Sequence, residues 1–459
     1  MPSTTTHSEP LIYAPAGTIQ PTLRQTRGGT VCEALGIPYA RAVRFGYPAP
    51  VNLPDFGDPF IADTPAPAAP QHLRGASDDI RQSVLMSEEC QNLSVIAPAD
   101  APASARERAT GGTTAAPTLP VMVYFHGGSY VVGSGDGARY NPERLVLDER
   151  VIVVRVTFRL GLLGFLGGSE ERPANLGLLD AREALRWVKA NIAAFGGDPD
   201  NITIFGQSAG GDLVTQLLLT EGVLDEGLVH RAICQSAPIE FVNRKQKLNA
   251  AMLKATAKIP ADAPAEVFGT RAWKMVVQSP LHDGLYSAMM PFGTQYGHYP
   301  LPDLADVPAA WEAIAPRVQV LIGANLRESA YFVPDPARKL GRLGRAAHRV
   351  AEYLVHKGST EMYIEPARRF MQRHRAAGGE GASYTLAVGH PLNHLYSAHC
   401  TELALLFDNP AWAGSKLRAG ALPGEFQPQG VAFRGIWAGF ARTGEIREDL
   451  AAVARISFE

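Results

Sequence analysis

Apolar and polar positions along the second quarter of the chain fall into two alternating patterns. LPVMVYF (119–125) and VIVVRVTF (151–158) are short, near-continuous apolar runs, the mark of strands buried on both faces. DAREALRWVKANIAAFG (180–196) instead sets Leu185, Val188, Ile192 and Phe195 at helical spacing on one face. NITIFGQSAGG (201–211) starts with the β-formers Ile202, Thr203, Ile204 and Phe205 and ends in three glycines around one serine. DLVTQLLLTEG then returns to helical spacing through Leu213, Leu217, Val214 and Leu218. RAICQSA (231–237) and VQVLIGAN (318–325) read as two more buried strands. Buried strands alternating with helices predict an α/β class with a central, mostly parallel β-sheet flanked by helices. Sites in such sheets are built on loops at the carboxyl ends of the strands.

Upstream, residues 11–60 read as short strands and turns, ending in the proline-rich TPAPAAP (64–70). PADAPASARERATGGTTAAPTLP (98–120) is rich in Ala, Pro, Thr and Gly and reads as an exposed, mobile loop. The runs flanking it, LSVI and VMVYF, read as neighbours in one sheet, so a single domain over 11–446 is expected, with a flexible loop near 98–118. No internal repeat is present.

The bulk numbers exclude some classes. The chain has 459 residues, 46% hydrophobic and 19% charged, with a formal net charge of −2. That composition is globular with ample core, and it offers no basic field for nucleic acid or an anionic membrane. No segment approaches the ~20 apolar residues that span a bilayer. The N-terminal MPSTTTHSEPLIYAPAG lacks the basic and apolar regions of a signal peptide, so a cytoplasmic location is expected. Cys32, Cys90, Cys234 and Cys400 form no CxxC pair and are expected as reduced thiols.

The chemistry concentrates at Gly206-x-Ser208-x-Gly210. Strand, sharp turn and helix around this pattern make a candidate nucleophile elbow. A serine hydroxyl needs a general base, an acid that orients the base, and N–H donors for the developing oxyanion. Ala209, after the serine, supplies one donor. The loop His126-Gly127-Gly128-Ser129, after the strand VMVYF, has the form that supplies the others. In this type of site the acid and then the histidine follow the serine along the chain. Glu328 is the only carboxylate in the loop LRESAYF after VQVLIGAN, with Asp335, between two prolines, as the reserve. His348, His356, His374, His390, His394 and His399 all follow, and spacing alone does not choose among them. His390 and His394 have the i, i+4 spacing of a zinc pair, but Pro391 breaks that turn. His126 reads as a structural loop residue, and Ser236 either as a residue supporting the site by hydrogen bonding or as a buried strand serine.

Long stretches of the chain resemble the type-B carboxylesterases, the cholinesterase-like α/β-hydrolases that include para-nitrobenzyl esterases. The similar stretches include LGIPYA (35–40), SEECQNLSV (87–95), YFHGGSYVVGSG (124–135) and VTFRLGLLGFL (156–166). They continue through NLGLLDAREALRWVKANIAAFGGDPDNITIFGQSAGG (175–211), RAICQS (231–236), IGANLRESAYF (322–332), HCTELALLF (399–407) and WAGFARTGEI (437–446). The resemblance implies an α/β-hydrolase fold with a helical cap between about 240–310 and 335–395. Only 71 residues separate Glu328 from His399, so a trimmed cap is expected. It implies Ser208 as nucleophile, Glu328 as acid and His399 as base, with Gly128, Ser129 and Ala209 as oxyanion donors and Gly127 shaping their loop. It also implies structural ion pairs Arg44–Glu88 and Arg159–Asp180.

The chain departs from the family at several points. Gln207 stands where the family has Glu, Arg327 and Ser329 flank the acid, and Cys400 replaces the Gly after the histidine. The cysteine that usually pairs with Cys90 is absent, and the loop near 70–90 holds no tryptophan, so cholinesterase activity is not expected. The expected activity is hydrolysis of small carboxylic esters by a monomer or small homo-oligomer, with no cofactor or metal and no nucleic-acid or membrane partner. Amide, carbamate or thioester hydrolysis by the same residues is the alternative, and a non-catalytic binding role a further one.

Overall fold

A computed structural model describes residues 11–72, 85–111, 118–240, 245–260, 262–278, 290–334 and 341–459. Its centre is a ten-stranded mixed sheet. In chain order the strands are β1 (Thr22–Thr26), β2 (Gly29–Pro38), β3 (Asn92–Pro98), β4 (Leu119–Phe125) and β5 (Ile152–Thr157). They continue as β6 (Gly197–Gln207), β7 (Arg231–Gln235), β8 (Gln319–Asn325), β9 (Glu380–Leu386) and β10 (Ile456–Phe458). Across the sheet the order is β10, β9, β8, β7, β6, β4, β5, β3, β2, β1. The six from β9 to β5 are mutually parallel, and the outer strands pair antiparallel. LSVI and VMVYF share this sheet but are not the neighbours expected, because β5 lies between them.

The helices used below are α1 (Ala101–Ala109), α2 (Leu176–Asn191), α3 (Ala209–Leu218), α4 (Gln246–Thr256), α5 (Ala265–Gln278), α6 (Val307–Ile314), α7 (Gly341–Ser359), α8 (Glu365–Ala376), α9 (Thr401–Leu406) and α10 (Gln427–Thr443). Side chains alternate across the central strands. Val121, Val123 and Phe125 of β4 pack in one core with Leu185 and Val188 of α2 and Leu213 and Leu217 of α3. Met122 and Tyr124 point into the other core, with Leu405 of α9 and Phe433 and Trp437 of α10. Every residue of β3, β4 and β5 is buried, which explains their largely apolar sequences. Among the described residues no helix is long and apolar enough to cross a membrane.

One expectation needs correction. The stretch 98–118 is not wholly a loop, because residues 101–109 form α1. Ala, Arg and Glu are strong helix formers, and Pro102 fits the first turn, where its missing N–H costs nothing. Residues 112–117 lie outside the described residues, as does Asp335. The helix expected over 180–196 starts earlier, at Leu176, and tightens into a 3₁₀ turn at Ile192–Phe195.

Candidate active site

β6 ends at Gln207 and α3 begins at Ala209, so Ser208 is the whole of the turn between them. Its φ of 58° and ψ of −126° lie in a region that L-residues rarely adopt. Two glycines make the bend possible. A Cβ on Gly206 would stand 2.4 Å from the carbonyl of Gly210, and one on Gly210 would stand 2.1 Å from the carbonyl of Phe125. The Ser208 N–H donates to Gln235 (2.9 Å), tying the elbow to β7.

The His126–Ser129 loop packs directly on this elbow. A Cβ on Gly127 would meet the Gln207 carbonyl at 2.7 Å and Ser208 Cβ at 3.2 Å. Gly128 turns the loop at φ 114°, and Ser129 follows at φ 58°. Ala209 is the first residue of α3, so its N–H has no intrahelical acceptor. His126 is buried, stacks on Phe158 at 4.6 Å and sets Nδ1 2.8 Å from the Gly127 carbonyl. Burial pushes its pKa down to about 4, so it is neutral and shapes the loop.

Glu328 opens a 3₁₀ turn just after β8 and is fully buried. Its Oε1 accepts from the Asn325 N–H (2.6 Å) and from Ser236 Oγ (2.5 Å), and its Oε2 accepts from His399 Nδ1. A carboxylate accepts only, so the Nδ1 proton is on the histidine and the Nε2 lone pair faces outward. His399 is 4% exposed, among Phe332, Tyr363 and Tyr331 with ring centroids at 5.3, 5.5 and 6.2 Å. Burial lowers its pKa, but the charge and hydrogen bond of Glu328 outweigh burial and raise it above the ordinary 6.5. Tyr363 comes from a π-helical segment, Thr360–Ile364, between α7 and α8.

Sequence reasoning missed Glu402. It is fully buried, lies 3.0 Å from Ser236 Oγ, accepts from the Asn325 amide, and its pKa is raised by burial and by the charge of Glu328. One hydroxyl proton on Ser236 cannot serve two carboxylates, so proximity to Glu328 favours a protonated Glu402. The available signal was a lone acid inside the apolar run ELALLF. Also unforeseen was a partner of His399. Gln207, 2% exposed, donates from Nε2 to His399 Nε2 at 3.1 Å. Among the described residues the Ser208 hydroxyl has no hydrogen-bond partner.

Gly127, Gly128, Ser129, Ser208 and His399 line one cavity of about 780 Å³, within the usual size of small-molecule sites. Its walls are largely apolar, with Trp273, Phe332, Trp412 and Leu417 among them. A second cleft of about 490 Å³, between α3, α6 and α8, shares no lining residue with it. The scaffold pairs inferred from resemblance are both present. Arg44 binds Glu88 (Nε to Oε2, 2.8 Å), and buried Arg159 grips Asp180 through Nε (2.8 Å) and Nη2 (2.7 Å). All four cysteines are unpaired, and Cys400 is the one that is partly exposed.

A family profile described as Carboxylesterase family matches residues 8–376, a span that contains Ser208 and Glu328 and ends before His399. A protein of Rhodococcus erythropolis named probable N-octanoylanthranilate hydrolase is 31% identical over 442 residues, covering 92% of this chain and 91% of that one. The para-nitrobenzyl esterase of Bacillus subtilis is 37% identical over 218 residues, 46% of this chain and 41% of that one. Among solved structures, a PNB esterase superposes with a TM-score of 0.73 at 25% identity, covering 96% of this chain and 91% of that one.

Proposed function

Since the chain belongs to the carboxylesterase family of esterase-type α/β-hydrolases, we propose that it is a serine carboxylesterase hydrolysing esters of short to medium acyl chain. One observation carries the proposal. A single cavity joins Ser208, the loop Gly127–Ser129 and His399, whose Nδ1 is held by the buried Glu328.

The chemistry follows from that arrangement. Ser208 Oγ attacks the ester carbonyl carbon while His399 Nε2 takes the hydroxyl proton. The carbonyl π electrons move to oxygen, and the N–H groups of Gly128, Ser129 and Ala209 hold the oxyanion; each such donor is worth roughly 10²–10³ in rate. Collapse of the tetrahedral intermediate expels the alcohol, which leaves with the proton from Nε2. Water then repeats the sequence on the acyl-enzyme and returns Ser208. Glu328 fixes the tautomer and stabilises the imidazolium. For the first proton transfer Ser208 must replace Gln207 at Nε2. Hydrogen bonds of this kind often form only when substrate is bound.

Hydrolysis of amides by the same residues is a second reading, favoured by the relative that matches along nine-tenths of both chains and is named for an N-acyl substrate. The test is covalent. An alkyl fluorophosphonate should add one equivalent, located by peptide mass at Ser208. Labelling elsewhere, or none in the folded protein, refutes the proposal. Paired ester and anilide substrates of one acyl chain then rank the two readings.

A further inference from the structure

The acceptor on His399 that must receive the Ser208 proton is already engaged. Gln207 Nε2 lies 3.1 Å from it, and the same amide accepts the Cys400 thiol through Oε1 at 3.6 Å. The two contacts agree on one orientation. The thiol needs an acceptor and finds the amide oxygen; the imidazole lone pair needs a donor and finds the amide nitrogen. Rotating the amide by half a turn would set oxygen against lone pair. Cys400 also sits at φ 72°, left-handed backbone that favours glycine. A β-carbon there is disfavoured by the backbone, a strain that goes with a side chain in use.

We propose that Cys400 and Gln207 are a positioning pair for the base: the thiol orients the amide, and the amide keeps His399 in the neutral tautomer with its lone pair on Nε2 until Ser208 takes the amide's place. The inference rests on the reading of His399 as the base. An N–H donor favours the neutral imidazole, because the imidazolium carries its own N–H at that point. The groups facing His399 otherwise act mostly the other way. Glu328 lies against Nδ1 and its charge favours the imidazolium, while Glu402 behind it is held protonated. Tyr331 comes from the turn after β8, Tyr363 from the π segment, and Cys400 from the residue that follows. Gln207 therefore offsets the Glu328 carboxylate and keeps the base usable near neutrality. A glutamate at 207 would instead pair with the imidazolium.

The test is the pH dependence of kcat/KM for a p-nitrophenyl ester, using the full chain as wild type, Gln207→Met, Gln207→Glu, Cys400→Ala and Cys400→Ser, with Ser208→Ala as reference. The midpoint of the acid limb should rise by about one unit in Gln207→Met and by about one to three units in Gln207→Glu. Cys400→Ala should move it part of the way, and Cys400→Ser, which keeps a donor, should hold it at the wild-type value. A merely structural role would lower the rate and leave the midpoint in place. Should a variant fold but turn over too slowly, the His399 ¹⁵N resonance, identified by its loss in His399→Gln, reports the same titration. Unchanged midpoints in both Gln207 variants overturn the proposal while leaving the site reading intact. Undiminished activity in Ser208→Ala overturns both.

Discussion

Glu328→Gln changes one oxygen for one nitrogen at the centre of the proposed triad. Volume is preserved, and the remaining amide oxygen still accepts from Asn325 N–H and Ser236 Oγ, which bind Oε1 now. The amide nitrogen then faces His399 Nδ1. A donor there turns the imidazole to its other tautomer, with the proton on Nε2, where it cannot accept from Ser208. The expected loss in kcat/KM is about 10³–10⁴-fold, or about 4–5.5 kcal/mol of transition-state stabilisation. Folding should be little affected, since the change removes one of two adjacent buried carboxylates and relieves Glu402. The assay is steady-state hydrolysis of p-nitrophenyl butyrate beside a thermal melt. A melt near wild type with less than a tenfold loss would refute the reasoning, because the tautomer would then be set by something other than Glu328.

Three further outcomes are expected. The proposed base His399 must be neutral to act and its pKa is raised, so the acid limb of kcat/KM should have its midpoint above 6.5; a midpoint below that value counts against His399 as base. Arg159→Met leaves the fully buried Asp180 without its cation and should cost about 3–5 kcal/mol in urea unfolding; a loss under 1 kcal/mol refutes the scaffold role. His126 is neutral in the fold down to about pH 4 while the unfolded chain protonates near 6.5, so its contribution is complete above 6.5 and is lost as pH falls toward 4. That shift amounts to about 3 kcal/mol, and His126→Gln should flatten the fall of stability between pH 6.5 and 4; an unchanged slope refutes it.

The legible parts of this molecule were those set by local constraints. The elbow could be read because its requirements are local, with a strand, three glycines and a helix leaving Ser208 as the only turn. Glu328 could be read because its loop holds a single carboxylate at the end of a buried strand. His399 could not be chosen by spacing, since six histidines follow the acid and only packing brings one of them to Glu328. Glu402 was missed because an acid in the first turn of a helix usually faces water, and nothing local says that all of α9 is buried. The Gln207–His399 contact joins residues 192 apart and has no local trace. Helix α1 was missed for the opposite reason: the proline and glycine around it outweighed the Ala-Arg-Glu run that folds.

The measurement closest to the central claim is hydrolysis of p-nitrophenyl esters, acetyl through palmitoyl, by wild type and Ser208→Ala. The expected result is turnover of the shorter chains by wild type and a loss of at least about 10³-fold in the variant. Equal turnover by both proteins, or none by either while both are folded, would contradict it.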